Sequence, residues 1–158
     1  MSESAPQTSQ SSKSDCHIAI QGNVIVVEIV NTIPLPWKAP TLGKNCAFSS
    51  RSSYKRYIRM LLRKAYKGEV LSGAFRLDVQ FFLPIPDSES QKKKNMMAEQ
   101  EIRHTKKPDT TNLMKLHEDC LEGIILENDS QVWESRIRKY YALNPGIIIR
   151  IEKEAETS

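Results

Sequence analysis

The chain has 158 residues, 39% hydrophobic, 27% charged and 7% aromatic, which fits one domain with its own core and excludes wholesale disorder. With 23 basic and 19 acidic side chains its formal charge is +4, mild enough to permit a polyanionic partner without requiring one. Its apolar runs are too short for a transmembrane helix, its N-terminus has no hydrophobic signal region, and Cys16, Cys46 and Cys120 are too scattered for a disulfide framework, so a reducing cytoplasm is expected.

Residues 1–15 are rich in Ser, Gln, Thr, Ala and Pro and read as a flexible tail, leaving 16–158 as a single domain. The β-branched run Val24–Val30 predicts a buried strand, with His17–Ile20 pairing back to it across Gln21-Gly22-Asn23. Pro34, Pro36 and Pro40 forbid regular structure through Trp37, and the loop runs on through Gly43, Lys44 and Asn45. Ser49 or Ser50 is placed to cap a helix reaching about Tyr66. Tyr54, Ile58, Leu61, Leu62 and Ala65 recur at helical spacing, and the other face carries Arg51, Lys55, Arg56, Arg59, Arg63, Lys64 and Lys67 without an acidic residue among them.

Phe75–Leu83 alternates as a strand that Pro84 and Pro86 end, and Asp87 or Ser88 is placed to cap a second helix through Ala98. After a polar loop, residues 112–123 put Leu113, Leu116, Cys120 and Leu121 on one stripe, with Gly123 where a helix C-cap belongs. Gln131–Ala142 and Ile147–Glu152 read as strands of a closing hairpin turned at Asn144-Pro145-Gly146. Strands and helices in this order predict an α+β fold.

The stretch from Lys107 to Val132 carries the chemistry. Asp109 stands just before a helix, Lys115 and Asp119 are four apart on its polar face, and Asp129 sits in the turn before the next strand. If that strand packs beside the helix start, Asp109 and Asp129 converge, and two carboxylates with a lysine suit a hard divalent metal and a phosphate ester. Spacing alone also allows a plainer reading: an N-cap, a surface pair and a turn aspartate.

The same stretch resembles the RusA family of Holliday junction resolvases, with its signature Lys-Pro-Asp-x-Asp-Asn-Leu-x-Lys, Asp-x-Leu-x-Gly and Asp-Asp-Ser-Gln-Val. Lys107, Pro108, Asp109, Asn112, Leu113, Lys115, Asp119, Leu121, Gly123, Asp129, Ser130, Gln131 and Val132 match without a gap. The resemblance implies a mixed β-sheet flanked by helices in an intertwined homodimer. It also implies Mg²⁺- or Mn²⁺-dependent cleavage of four-way DNA junctions in recombination and repair. Asp109 and Asp129 would then be metal ligands and Lys115 the catalytic lysine. Thr111 and Asn128 stand where the signature has aspartates; they are the weak ligands, and Glu127 or Glu118 the carboxylates within reach in sequence to substitute. Loss of those two charges supports an alternative, a junction-binding protein on the same fold with weakened catalysis.

The expected DNA surface comprises Arg51, Lys55, Arg59 and Arg63 of the basic helix with Lys92, Lys93, Lys94, Arg103, Lys106 and Lys107, continued by Arg136 and Arg138 on one side of a strand. His17, His104 and His117 match no zinc spacing and read as surface or core residues, and Cys120 as core. No glycine-rich phosphate loop is present. Trp37 and Trp133 read as packing residues rather than base-stacking platforms, with Trp37, in its Pro-rich loop, the one placed to reach DNA.

Overall fold

The computed structural model describes residues 13–39, 41–42, 47–48 and 51–157. The tail before residue 13, the loop at Gly43–Asn45 and the caps expected at Ser49 or Ser50 lie outside them. In chain order the elements are β1 (Asp15–Gln21), β2 (Val24–Val30), β3 (Thr41–Leu42), β4 (Ala47–Phe48), α1 (Ser52–Ala65), β5 (Phe75–Pro84), α2 (Gln91–Ala98), α3 (Thr110–Leu121), a 3₁₀ turn (Asp129–Gln131), β6 (Val132–Ala142) and β7 (Gly146–Lys153). Asp15 is thus already in a strand.

Five strands form one mixed sheet in the order β1-β2-β7-β5-β6, and β3 pairs with β4. Gly22, at φ +59, takes the left-handed turn position between β1 and β2 that a side chain would resist. β5 contributes five fully inward residues, Phe75, Leu77, Val79, Phe81 and Leu83, and these are met by Ile25, Val27 and Ile29 of β2 and Ile147, Ile149 and Ile151 of β7. Ile58, Leu61 and Leu62 of α1 and Leu113, Leu116, Cys120 and Leu121 of α3 complete the same cluster. Burying each large side chain contributes about 1.5–3 kcal/mol, so truncating Phe81, fully buried at the centre of this layer, would remove more than most helix contacts.

The sheet is α+β and mixed, as expected, but the closing hairpin is not formed. β6 runs parallel to β5, while β7 lies on β5's other side, antiparallel to it and to β2. The physical reason is β5: at ten residues with five buried side chains, more than any other strand, it takes an interior place with a partner on each edge. Gly146 lets β7 begin there, because a Cβ would lie 2.6 Å from the Ile29 carbonyl oxygen. The sheet's second face is polar, with Arg138–Asp78 at 2.8 Å, Arg76–Glu134 at 3.2 Å and Arg150–Glu152 at 2.6 Å. Arg136 and Arg138 stand in register with Asp78 and Gln80 on that face, so they do not continue the α1 surface, which is on the other side. Trp133 is 55% exposed with the Arg76 guanidinium 5.0 Å from its ring centre, not packed inside; Trp37 does pack against the core.

Two helix starts differ from expectation. Arg51 occupies the N-cap of α1 without a side-chain cap bond. α2 begins after Ser90, whose hydroxyl accepts from the Lys93 N–H at 3.4 Å. A turn closed by the Glu89 N–H on the Pro86 carbonyl uses up Asp87 and Ser88 first. Among the described residues no helix is long and apolar enough to cross a membrane.

Candidate active site

α3 organises the site. Its inward stripe, Leu113, Leu116, His117, Cys120 and Leu121, is buried, and its outward face carries Thr111, Lys115, Glu118, Asp119 and Glu122. At its midpoint His117 is fully enclosed. Its Nδ1 donates to the Leu113 carbonyl at 2.7 Å, which leaves Nε2 to accept from the Tyr54 hydroxyl at 2.8 Å. Burial pushes this imidazole down to about 4 and the Cys120 thiol up to about 12, so His117 is neutral and Cys120 is no nucleophile.

At the C-terminal end of α3, Gly123 takes φ +77 just beyond the C-cap Glu122. The Arg59 guanidinium reaches across from α1 and donates to the carbonyls of Asp119 (3.2 Å), Cys120 (3.2 Å) and Glu122 (2.7 Å). It satisfies acceptors that the helix leaves open. The chain then turns back through a capping box. Asn128 Oδ1 accepts from the Ser130 N–H at 2.8 Å, and Gln131 Oε1 accepts from the Asn128 N–H at 3.1 Å. This turn swings Asp129 against the helix end, where carboxylate oxygens of Asp119, Glu122 and Asp129 all lie within 4.8 Å of one another. Glu118 beside them is pushed above the usual carboxylate range by burial, and further by the charges of Asp129 and Asp119. Lys55 Nζ stands 3.8 Å from Asp119.

The N-terminal end is built differently. Asp109 holds the N-cap position in extended backbone, but its carboxylate makes no cap bond. The Trp37 N–H donates to the Asn112 carbonyl at 2.8 Å, and Lys115 Nζ lies 3.6 Å from the centre of the indole ring. Lys139 of β6 donates to the carbonyls of Lys106 (2.5 Å) and Pro108 (2.9 Å); burial lowers its ammonium, and the nearby Asp109 charge pulls it back up. A cavity of about 610 Å³ opens between this helix start, the Pro34–Trp37 loop and Tyr141.

Residues 43–152 match the family model of the endodeoxyribonuclease RusA, well over half of the chain. The chain belongs to the RusA endodeoxyribonuclease family. It is also 29% identical over 102 residues to the uncharacterized protein YqaN of Bacillus subtilis (strain 168), a match covering 63% of this chain and 72% of that one.

The RusA signature residues do not meet in one place within the chain. Asp109 and Asp129 lie at opposite ends of α3, and Asp119, against which Asp129 sits, is ten residues along the helix from Asp109, about 15 Å at 1.5 Å per residue. The expected packing of the β6 start beside the helix start fails because β6 runs parallel to β5, bringing its far end, at Lys139, to Asp109. Lys115 and Asp119 are not paired; Lys115 covers Trp37 and Asp119 meets Lys55. Thr111 is exposed on the first turn of α3, while Asn128 spends its amide oxygen on the capping box and is a turn-former. Glu127 is exposed and outside the carboxylate group, which takes Glu122 instead. Asp119 and Glu122 are three apart on one helix face, and that spacing was the available signal.

The basic residues also divide. Arg63, Lys92, Lys93, Arg103, Lys106 and Lys107 are exposed, and Lys94 is half-buried. Lys93 and Lys106 approach Glu89 at 3.5 and 3.9 Å. Arg59 is a helix cap, Lys55 an ion-pair partner, and Arg51 donates to the Pro36 carbonyl at 3.1 Å.

Proposed function

We propose that this chain is an Mg²⁺- or Mn²⁺-dependent endonuclease that cuts four-way DNA junctions as a twofold homodimer, in recombination and repair. The observation that carries the reading is the placement of the RusA signature along α3, with three carboxylates gathered at its C-terminal end. The donor set fits a hard divalent cation. It is all oxygen and partly shielded from water, and its negative charge adds to the burial that raises the neighbouring Glu118 carboxyl. Such a cation polarises a phosphoryl oxygen and offsets charge on the leaving strand. Asp119, Glu122 and Asp129 would hold it. Lys115, exposed on the same helix face, would offset phosphate charge, and the exposed lysines of the α2 region would bind the flanking backbone.

A second copy accounts for Asp109. β6 is the outer strand of the sheet, and residues 133–136 are exposed. Antiparallel pairing of two β6 edges about Ser135 would set Glu134 against the partner's Arg136, an arrangement that reads the same from either chain. It would also direct the Lys139 end of one strand, beside which Asp109 lies, toward the partner's Gln131, next to the partner's Asp129. Two sites related by a twofold axis match the paired phosphates of a four-way junction.

A second reading, junction binding with catalysis lost, draws support from Asn128, whose oxygen is committed to the capping box. The deciding experiment is a Mg²⁺ titration of nicking on a four-way junction by wild type, Asp109→Asn, Asp129→Asn and a mixture of the two variants. Cutting that is lost in each variant and recovered in the mixture supports shared sites, because one mixed dimer then carries an intact site. Loss without recovery places each site within one chain. Binding without cutting by wild type selects the second reading.

A further inference from the structure

We propose that the 610 Å³ cavity beside Asp109 seats a nucleobase unstacked from the DNA next to the cleaved phosphate, and so sets which position along a strand is cut. The inference rests on the DNA-cutting reading and adds to it a specificity-determining pocket. Its size falls within the range of small-ligand sites, about 300–1,000 Å³. Its lining is largely apolar and rich in rings: Pro34, Pro36, Trp37, Pro108 and Tyr141 all border it, and residues of this kind suit a flat base.

The walls are pinned to the helix start that carries Asp109. Trp37 is held by its N–H on Asn112 and by Lys115 over its ring. Arg51 holds the Pro36 carbonyl at 3.1 Å, Gln100 holds the Tyr141 carbonyl at 2.7 Å, and Lys139 holds that of Pro108 at 2.9 Å. The pocket is therefore preformed, and its distance from Asp109 is fixed.

Charge and polarity favour a nucleotide over an apolar peptide. Lys106 and Lys107, both exposed, line the same cavity, where the phosphates flanking an inserted base would run. His104, 91% buried, lines it too and leaves Nδ1 without a hydrogen-bond partner, which an aliphatic occupant would not satisfy. The cost of unstacking is least where a stack is already interrupted, as where strands exchange at an opened branch point.

The test places 5-iododeoxyuridine at each position around the branch point of a four-way junction, irradiates the complex with the full-length protein, and maps the cross-links by mass spectrometry. The expected result is a cross-link from one position to Trp37, His104 or Tyr141. In parallel, cut-site preference is measured for wild type, Ile33→Trp and His104→Phe. Ile33 stands at the mouth and is 51% exposed, so the larger side chain obstructs entry without entering the core. His104→Phe keeps a ring against Tyr141, whose centre is 4.3 Å from that of His104. Ile33→Trp should reduce the preference for the favoured site by about tenfold, the scale on which a shaped pocket discriminates, and His104→Phe by less. Wild type that binds and cuts the junction without any such cross-link, or Ile33→Trp that cuts with unchanged preference, overturns the pocket and leaves the nuclease reading standing. Wild type that neither binds nor cuts the junction overturns both. If His104→Phe does not fold, Ile33→Trp and the cross-links decide.

Discussion

The two ends of α3 are built on opposite principles. At the N-terminal end charges meet neighbours of matching kind: Asp109 lies near Lys139, Lys115 covers Trp37, and the loop before β3 is tied to the first helical turn. At the C-terminal end Glu118, Asp119, Glu122 and Asp129 stand together, with Lys55 close to Asp119 alone and the Arg59 charge spent on backbone carbonyls. Like charges held close raise the cost of folding, and a protein keeps such an arrangement where a cation or a cationic group relieves it. Under the proposed function the acidic end binds charge and the other end reads shape, although the RusA signature marks both.

The largest expected effect tests that division. Asp129→Asn should lower Mg²⁺-dependent nicking by about 100-fold or more, the scale of losing a group that stabilises transition-state charge. Mg²⁺ should raise the melting temperature of wild type and not that of the variant. Should Asp109→Asn fall equally in nicking, both ends serve one catalytic centre across the dimer; a loss of less than about threefold would confine catalysis to the acidic end.

Next comes the buried midpoint that joins the two ends. With its folded pKa pushed down to about 4 from 6.5, His117 binds fewer protons folded than unfolded between those values. Its contribution is fully present above pH 6.5 and is lost as pH falls toward 4, about 3 kcal/mol in all. Burial lowers His104 as well, in the same direction. Urea midpoints measured at pH 7.5 and 4.5 should differ accordingly. In His117→Gln, which keeps an acceptor for Tyr54, most of that difference should vanish.

A smaller effect separates structural from DNA-facing arginines on α1. Arg59→Met should cost about 1–3 kcal/mol, because three carbonyl acceptors lose a charged donor. Arg63→Gln, on an exposed residue of the last turn of α1, should cost less than about 1 kcal/mol of stability while weakening junction binding and flattening its salt dependence. Equal junction affinity for Arg63→Gln and wild type across a salt titration would remove α1 from the DNA surface.

The amphipathic stripes were readable because they are local: α1 and α3 fall within two residues of expectation, and the β1–β2 hairpin follows from Gly22. Strand partnership was not readable. Asn144-Pro145-Gly146 looks like a hairpin turn whether or not another strand comes between, and β5, with the most buried side chains, lies between β6 and β7. The separation of Asp109 and Asp129 within one chain has the same non-local origin. Convergence of Asp109 and Asp129 required an antiparallel neighbour where the sheet has a parallel one. By contrast the Asn128–Gln131 capping box is a local pattern, present in the sequence and masked by the aspartate that the family signature has at position 128.

The smallest effect tests the surplus charge directly. Glu118 is pushed above the usual carboxylate range by burial and by Asp129 and Asp119, so the folded state favours its protonated form. Its contribution therefore favours folding in acid, below the ordinary carboxylate value, and declines as pH rises through the raised one. Glu118→Gln removes that charge and keeps the shape. The variant should melt about 1 °C higher than wild type at pH 7 without metal, a small gain because solvent screens a half-exposed group. The two should converge as pH falls and wild type takes up the proton. With Mg²⁺ the gain should shrink or reverse, because a bound cation already relieves the repulsion and Glu118 then adds attraction. A gain that persists unchanged in Mg²⁺ would mean that no cation reaches this end of α3, and the acidic group would be a fold feature alone.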